Sequence, residues 1–418
     1  MFKSNLIATF AILLLQLCSA ISLSPRALSQ PPSFSFSAYK DVSIFLNWNT
    51  YIFGTKTGDL INSMPKNMDT ITWAFATGEC GSEKWASLTP TQIKPNVDNF
   101  VALNKNYIIS TGGAADAGMK KFIDTYYSPK LIGIDFDIEG GQTDAQIISI
   151  INRAIYAQTV FPHLRFSFTI ATLGGISTNG LNSKGKIVVD QLKLSGLKNY
   201  FINLMVMDYG STDPTACILK TGNVCDMGKS AIQAAKNLNK NYGIPFSQIE
   251  LTPMIGGNDV ISEVFTIEDV VTVSQFALQN KLGGIHYWSY DRDYDCPLGA
   301  AQYNCNTYGL AGTLGFAKKF LEALGGSTTP TTVTATNPPS TPTASNTPGT
   351  PTATNETKPS TTSTTKSAAS TPTPTKCPVN AFDCGGKSPN KKKNPLVPNS
   401  RCCCNTGKKY STSKGMCK

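Results

Sequence analysis

Histidine, charged residues and nucleotide-binding glycine motifs are scarce in this sequence, and each shortage excludes a class of protein. His163 and His286 are the two histidines among 418 residues, so we expect no Cys/His zinc site, no other metal and no cofactor. Charged residues make up 15% and hydrophobic residues 40%, which is typical of a folded core rather than a disordered chain. No GxGxxG motif follows the first predicted strand, which disfavours a doubly wound nucleotide-binding sheet.

Apolar runs long enough to cross a membrane are also missing. The apolar run closest to that length, Leu6–Leu17, is too short for a spanning helix and has the length of a signal-peptide core. Lys3 precedes it, and the small residues Cys18-Ser19-Ala20 follow it, as signal peptidase requires. The sequence therefore predicts a secretory signal over residues 1–20 and a protein that is extracellular or in the cell wall. An N-terminal membrane anchor is the alternative interpretation.

The net charge of +10 is concentrated at the C-terminal end of the chain. Residues 1–326 sum to zero, residues 327–376 to +2 and residues 377–418 to +8. A neutral body in an exported protein disfavours a nucleic-acid partner, and we expect a monomer. The basic run Lys391–Lys393 could bind anionic wall polymers or phospholipid head groups. The alternative is a solvated, disulfide-bonded terminus.

Composition divides the mature chain into a body, a linker and a small terminal module. The body covers residues 39–326. In residues 327–376, 36 of 50 positions are Ser, Thr or Pro, which predicts an extended tether, with an N-glycosylation site at Asn355. Residues 377–418 contain half of the 12 cysteines and are expected to form a disulfide-rich module. These are Cys377, Cys384, Cys402, Cys403, Cys404 and Cys417.

Four cysteines in the body form two pairs that lie close in sequence, and each pair could close a loop. Cys217 with Cys225, and Cys296 with Cys305, are the expected pairs, and Cys80 has no obvious partner.

Within the body, short β-rich runs alternate with helical patterns. This alternation predicts a (β/α)8 TIM barrel, with a doubly wound open sheet as the alternative. The predicted strands are Val42–Trp48, Thr70–Thr77, Asn106–Thr111, Leu131–Ile138, Arg165–Ala171, Phe201–Met207, Ile249–Met254 and Gly284–Ser289. The clearest predicted helices are Asp144–Tyr156, Lys229–Asn241, Ile267–Leu278 and Ala311–Leu324.

The fourth predicted strand carries three carboxylates on one face. Side chains alternate along a strand, so Asp135, Asp137 and Glu139 share one face and the apolar residues between them share the other. A sheet edge with an acidic solvent face is the alternative, but the preceding Leu-Ile-Gly-Ile run favours a buried strand. Stacked carboxylates resist simultaneous ionisation, so we expect Glu139 to hold a proton and act as a general acid. Protonation of a leaving-group oxygen is the first step of glycoside hydrolysis.

These residues resemble the active-site motifs of glycoside hydrolase family 18, the chitinases. Asp135–Glu139 matches the DxDxE pattern, Ser110–Gly113 matches SxGG at the end of strand three, and Met207-Asp208-Tyr209 matches Met-x-Tyr at the end of strand six. Trp288 matches the tryptophan of strand eight, and Leu251–Asp259 is similar to strand seven of an archaeal and bacterial branch. Two positions depart from the pattern: Ile132 replaces an aspartate before the motif, and Gly210 stands where many members have an aspartate.

The resemblance implies a retaining, substrate-assisted mechanism in which the substrate's N-acetyl group forms an oxazolinium intermediate. Glu139 would be the acid and base, Asp137 would orient the acetamido group, and Asp135 would balance charge behind it. Tyr209 would hydrogen-bond the acetamido carbonyl, and Trp288 would form the floor of the sugar site, with Met207 and Asp208 as further substrate contacts.

The implied substrate is chitin or a related N-acetylglucosamine polymer. An endo-β-N-acetylglucosaminidase acting on N-glycans and a catalytically silent chitin-binding lectin are the alternatives. For Ser110–Gly113 a structural role is favoured over a functional one. Trp48 and Trp85 either line outer sugar subsites or pack locally.

Overall fold

The computed structural model describes two units of the chain. These units are residues 1–332 and 333–418. In the first unit it describes residues 34–112, 119–176 and 179–325. In the second it describes the backbone of residues 381–383, 402–404, 410–411 and 416–417. The predicted signal, the linker and the glycosylation site lie outside the described residues.

The described part of the first unit is built on eight parallel strands, each followed by a helix, with short antiparallel strands in some of the loops. The strands are β1 (Ser35–Asp41), β2 (Thr70–Thr77), β3 (Asn106–Gly112), β4 (Leu131–Ile138), β5 (Arg165–Ala171), β6 (Tyr200–Met205), β7 (Ile249–Thr252) and β8 (Gly284–Trp288). The helices, in the same order, are α1 (Leu60–Ser63), α2 (Pro90–Ala102), α3 (Met119–Tyr126), α4 (Asp144–Val160), α5 (Ser183–Ser195), α6 (Met227–Tyr242), α7 (Ile267–Asn280) and α8 (Gly315–Gly325). None of these helices has the length and apolar character needed to cross a membrane.

The sheet closes because β1 pairs in parallel with both β2 and β8. Each remaining strand pairs with its neighbours in sequence, from β2 through to β8. Tyr39 lies opposite Trp288 on one side of β1, and Ala38 lies opposite Ile71 on the other. The closed parallel sheet with its outer helices confirms the predicted (β/α)8 barrel.

The first predicted strand is wrong, and so is the start of the body at residue 39. Val42–Trp48 forms turns, in which Phe45 has a φ of 57°, and the true strand is Ser35–Asp41. The strand is hard to recognise because its inward side chains are polar. Ser37 hydrogen-bonds Thr72 at 2.7 Å inside the barrel, so β1 lacks the apolar alternation that identified β4.

The two faces of β4 behave as its alternation predicts. Phe136 packs against Phe166 and Phe168 in the apolar layer between sheet and helices. Asp135 points the other way and hydrogen-bonds Ser167 inside the barrel. The layer outside the sheet therefore forms the apolar core, while the barrel interior is polar.

A charged network fills the barrel below the carboxylates of β4. Arg165 hydrogen-bonds Glu250, and both are almost completely buried. Glu250 Oε2 also lies 3.3 Å from His286 Nε2, while Ser37 Oγ lies 2.6 Å from His286 Nδ1. Burial, with Arg165 adding to it, lowers the pKa of His286 to about 3, so this histidine is neutral. Gly133 leaves the space for Arg165, since a Cβ there would lie 2.4 Å from the arginine Cγ.

Both predicted disulfides of the body are confirmed. Cys217 bonds to Cys225 and Cys296 to Cys305, each closing a short loop. Cys80 is unpaired among the described residues. In the second unit, the backbone of Ala381–Asp383 pairs antiparallel with Cys402–Cys404. Tyr410–Ser411 likewise pairs with Met416–Cys417. That this module is disulfide-rich stays a prediction.

Candidate active site

Asp135 is the deepest of the three β4 carboxylates and is held by hydroxyl groups. Ser110 and Ser167 each donate to it at 2.7 Å, Thr169 at 2.8 Å and the Tyr39 hydroxyl at 3.0 Å. These donors come from β1, β3 and β5, so the sheet itself builds the environment. Four donors around one buried carboxylate stabilise its negative charge without neutralising it. The contact from Ser110 also gives the SxGG segment a role at the site beyond backbone packing.

Asp137 and Glu139 stand above Asp135 at the carboxyl end of the strand. Asp137 is buried and hydrogen-bonds Glu139, which is exposed at the mouth of the barrel. Burial, followed by the charges of Glu139 and Asp135, raises the pKa of Asp137 well above its usual value. The sequence predicts that Glu139 retains a proton, and the structure raises the pKa of its hydrogen-bonded neighbour Asp137. Asp137 therefore retains a proton more readily than an isolated carboxyl group would.

An aromatic floor lies beside these carboxylates. Trp288 stacks on Phe75 with ring centroids 5.8 Å apart, and Tyr39 lies 6.2 Å from Trp288. Phe75 comes from the end of β2, and Trp288 ends β8. The apolar faces of sugar rings stack on aromatic rings such as these.

A cleft of about 390 Å³ opens over the carboxylates and the aromatic floor. All eight strands of the barrel except β3 contribute to it directly or through the loop that follows. Its lining residues are Tyr39, Phe75, Asp137, Glu139, Thr169, Ala171, Thr172, Met205, Met207, Asp208, Thr252, Met254, Asp259 and Trp288. The predicted contacts Trp288, Met207 and Asp208 are therefore all at the cleft, as are Asp137 and Glu139.

Tyr209 follows the cleft residues Met207 and Asp208 but is not itself among the residues that line the cleft. Its ring is buried against the segment after β5, where a Cβ at Gly174 would lie 2.7 Å from the tyrosine Cζ. Its hydroxyl has no hydrogen-bond partner among the described residues. Asp208 has a left-handed φ of 47°, which ends the strand-like alternation before Tyr209. The catalytic role of Tyr209 stays a prediction.

The two loop tryptophans have different surroundings. Trp85 is fully buried and donates to the Tyr126 hydroxyl at 2.9 Å, so it packs locally and cannot line an outer subsite. Trp48 is 57% exposed on the loop after β1, outside the lining of the cleft.

Sequence reasoning missed three lining residues that bear on chemistry. Tyr39 lies in the strand that was not recognised, and Phe75 lies in a predicted strand but outside any motif. Asp259 ends the similar stretch of strand seven, which is the signal that could have identified it. Its carboxylate and that of Asp208 bring the number of carboxylates lining the cleft to four.

The fold and the site together define a (β/α)8 barrel with a carboxylate-lined cleft at the carboxyl ends of its strands. This fold is shared with the catalytic domain of a hyperthermophilic chitinase from Pyrococcus furiosus, with a TM-score of 0.56. The match covers 71% of this chain and 97% of that domain at 24% identity.

Two curated relatives are similar in sequence. A probable bifunctional chitinase/lysozyme from Escherichia coli (strain K12) is 26% identical over 283 residues, or 59% of this chain and 31% of that protein. Endochitinase 11 from Metarhizium anisopliae is 25% identical over 285 residues, or 60% of this chain and 54% of that protein. The chain thus matches about a third and about half of their lengths. No family model matches it.

Proposed function

We propose that the protein is a family 18 glycoside hydrolase that cuts β-1,4 linkages between N-acetylglucosamine units in chitin. The observation that carries this proposal is the buried Asp137, whose pKa is raised, hydrogen-bonded to Glu139 at the mouth of a cleft with an aromatic floor. Similarity to a probable chitinase/lysozyme and to an endochitinase supports it. The stretch Leu251–Asp259 supports the archaeal and bacterial branch of the family.

In the proposed reaction, Glu139 donates a proton to the glycosidic oxygen as the bond breaks. Asp137 supplies that proton to the pair in the resting state and then turns to hydrogen-bond the substrate's acetamido N–H. The acetamido oxygen attacks the anomeric carbon, so no enzyme nucleophile is needed. The Asp135 carboxylate lies below Asp137, where it stabilises the positive charge that develops on the oxazolinium ring. Glu139 then removes a proton from water, which opens the ring with retention.

In this scheme Tyr209 hydrogen-bonds the acetamido carbonyl. Its ring is buried, and its hydroxyl has no hydrogen-bond partner among the described residues, which leaves that hydroxyl available as a donor. Asp208 lines the cleft as a further substrate contact, and burial raises the pKa of its carboxyl group.

The test is release of soluble N-acetyl-chitooligosaccharides from chitin by the wild type and by Glu139→Gln. Loss of a general acid lowers kcat by about 10²- to 10⁴-fold, with binding to chitin retained. Glu322→Gln, an exposed glutamate on α8, is the matched control and is expected to keep full activity.

The same assay separates the alternatives. Turnover of N-glycans but not of chitin would replace the proposal with an endo-β-N-acetylglucosaminidase. Binding of chitin without turnover of either substrate would make the protein a lectin.

We also propose that the protein is secreted and that its basic module attaches it to an insoluble polymer. A flexible tether raises the local substrate concentration at a bound enzyme. N-terminal sequencing of protein from the medium should begin after Ala20. Removal of residues 377–418 should weaken retention on chitin or on anionic wall polymers while leaving hydrolysis of soluble oligosaccharides unchanged. Retention equal to that of the full chain would contradict an anchoring role.

A further inference from the structure

Glu139 comes directly after β4, whereas two of the four cleft carboxylates lie farther beyond their strands, on loops. Asp208 follows β6 and Asp259 follows β7, so the hydrogen bonds of the sheet hold neither residue. Side chains that contact a substrate need supporting contacts that fix their directions. The structure supplies such contacts at one buried glutamate.

Glu263 contacts the turn that carries Asp208. It is fully buried, and its Oε2 accepts the backbone N–H of Tyr209 at 3.0 Å. The N–H groups of Asp208 and Gly210 also interact with this carboxylate. Asp208 and Gly210 both have left-handed backbone, with φ of 47° and 87°. Successive N–H groups in such a turn form a concave nest for an anion, and Glu263 is that anion.

The loop after β7 also donates a hydrogen bond to the turn that carries Asp208. Asp208 Oδ1 accepts the N–H of Val260 at 3.0 Å, immediately after Asp259. Hydrogen bonds of the Glu263 N–H to Val260 O at 2.8 Å, and of the Asn258 N–H to Glu263 O at 2.9 Å, close the loop. The two loops therefore hold each other, with Glu263 at the junction.

We propose that Glu263 is a positioning residue for the cleft. Its carboxylate fixes the turn at Asp208–Gly210 and, through the hydrogen bond between Asp208 and Val260, sets the directions of Asp208 and Asp259. The inference rests on the proposed function, in which those two carboxylates contact the sugar. Packing alone does not account for a glutamate here, since burial of an ionised carboxylate is costly.

Ionisation of Glu263 controls how well it holds the turn. Burial, with repulsion from Asp208 adding to it, raises the pKa of Glu263 to about 7, and the backbone N–H groups oppose this shift. The other charged groups around the junction are Asp259, Asp269 and Arg292. Below pH 7 the neutral carboxyl group accepts these hydrogen bonds weakly, and above pH 7 the carboxylate accepts them strongly. The turn is therefore fixed best on the alkaline side.

The experiment compares the wild type with Glu263→Gln on a soluble N-acetylglucosamine tetramer from pH 5 to pH 8.5. The amide mimics the neutral acid, so the two proteins should have similar kcat/KM at pH 5. At pH 8.5 the variant should be lower by about tenfold, the effect of one lost charge-assisted hydrogen bond. The ratio of the two kcat/KM values cancels the titration of Asp137, because both proteins share that group.

Asp293→Asn is the matched control. Asp293 is also buried with a pKa raised to about 7, but it binds the N-terminus of α8 rather than a cleft loop. The kcat/KM of Asp293→Asn, divided by that of the wild type, should not change with pH. If the same ratio for Glu263→Gln is also constant, the proposal is overturned, because loss of a purely structural residue changes kcat/KM by the same factor at every pH.

Backbone hydrogen exchange at residues 208–210 gives a readout that does not depend on turnover. After correction for intrinsic exchange rates, protection in the wild type should fall as the pH drops through about 7, and Glu263→Gln should lack protection throughout. Equal protection at pH 5 and pH 8.5 in the wild type would reject the inference even if the variant does not fold. Absence of wild-type hydrolysis would reject the proposed function instead, and the exchange data would still decide the role of Glu263.

Discussion

At the scale of single residues, three carboxylates on one strand have three different environments. Asp135 receives four hydroxyl donors, Asp137 is buried with a raised pKa, and Glu139 is exposed at the cleft mouth. Depth along the strand and the donors on neighbouring strands create these differences. The charge of Asp135 is one cause of the raised pKa of Asp137, after burial and the charge of Glu139.

Asp135→Asn should therefore move the pH dependence of kcat. Without the negative charge below it, Asp137 releases its proton at lower pH, so the alkaline limb of the profile should shift toward acid by about one pH unit. The pH profile of kcat on a soluble oligosaccharide measures this shift. An alkaline limb that stays in place would mean that Asp135 does not act on Asp137 through its charge.

The sequence could predict the residues on strand ends but not those on turns. Asp137 and Trp288 reach the cleft because alternation along a strand determines their direction. The direction of Tyr209 cannot be predicted in this way, because the left-handed Asp208 before it interrupts the strand geometry. A backbone dihedral of this kind has no periodic signal in the sequence. Glu263 was missed for a related reason, since its partners are backbone groups contributed by another loop.

At the scale of elements, the segment after β8 fixes the helix that follows it. Asp293 accepts the N–H groups of Phe316 at 3.0 Å and Ala317 at 2.8 Å, in the first turn of α8. The Tyr287 hydroxyl donates to the same carboxyl group at 3.3 Å. Burial raises the pKa of Asp293 to about 7 although these donors oppose the shift.

This shift predicts how stability depends on pH. The folded protein keeps a proton on Asp293 up to about pH 7, whereas the unfolded chain releases it near pH 4, so the group's contribution to stability is lost as the pH rises between these values. In the wild type this group lowers the unfolding free energy by up to about 4 kcal/mol as the pH rises, and Asp293→Asn should remove that decrease. Urea unfolding at pH 5 and pH 8 measures the difference. Parallel curves for the two proteins would contradict the prediction.

Among the elements, those with regular alternation were predicted best. β4 and β5 have the predicted bounds, because apolar residues occur at every second position. β1 was missed because Ser37 and Lys40 are satisfied by partners far away in sequence. The local hydrophobic pattern cannot identify such a strand, because the partners of its polar residues come near it only when the barrel closes.

At the scale of the whole molecule, one buried ion pair lies where the barrel closes. Lys40 Nζ lies 2.6 Å from Asp291 Oδ1, and neither side chain is exposed. Asp291 also accepts the N–H of Asp41 at 3.0 Å. The end of β1 is thereby joined to the segment after β8.

Lys40→Met should cost about 3–5 kcal/mol of unfolding free energy, because Asp291 is left buried without its partner charge. The double variant Lys40→Met/Asp291→Asn should be more stable than the single variant, since it removes the unpaired charge. Lys94→Met, which breaks the exposed pair with Asp98, is the control and should cost less than about 1 kcal/mol. Urea unfolding measures all three, and equal losses for Lys40→Met and Lys94→Met would exclude a role for the ion pair in closure.

The closure of β1 on β8 also sets the timing of folding during synthesis. Lys40 and Asp291 are separated by 251 residues, which take about 12 to 50 seconds to translate at roughly 5–20 residues per second. Throughout this interval one edge of β1 has no strand to pair with and Lys40 has no counter-charge. The barrel cannot close on the ribosome before Gly284–Trp288 has been made. For a chain exported as proposed, that delay keeps the body unfolded while it can still be threaded across a membrane.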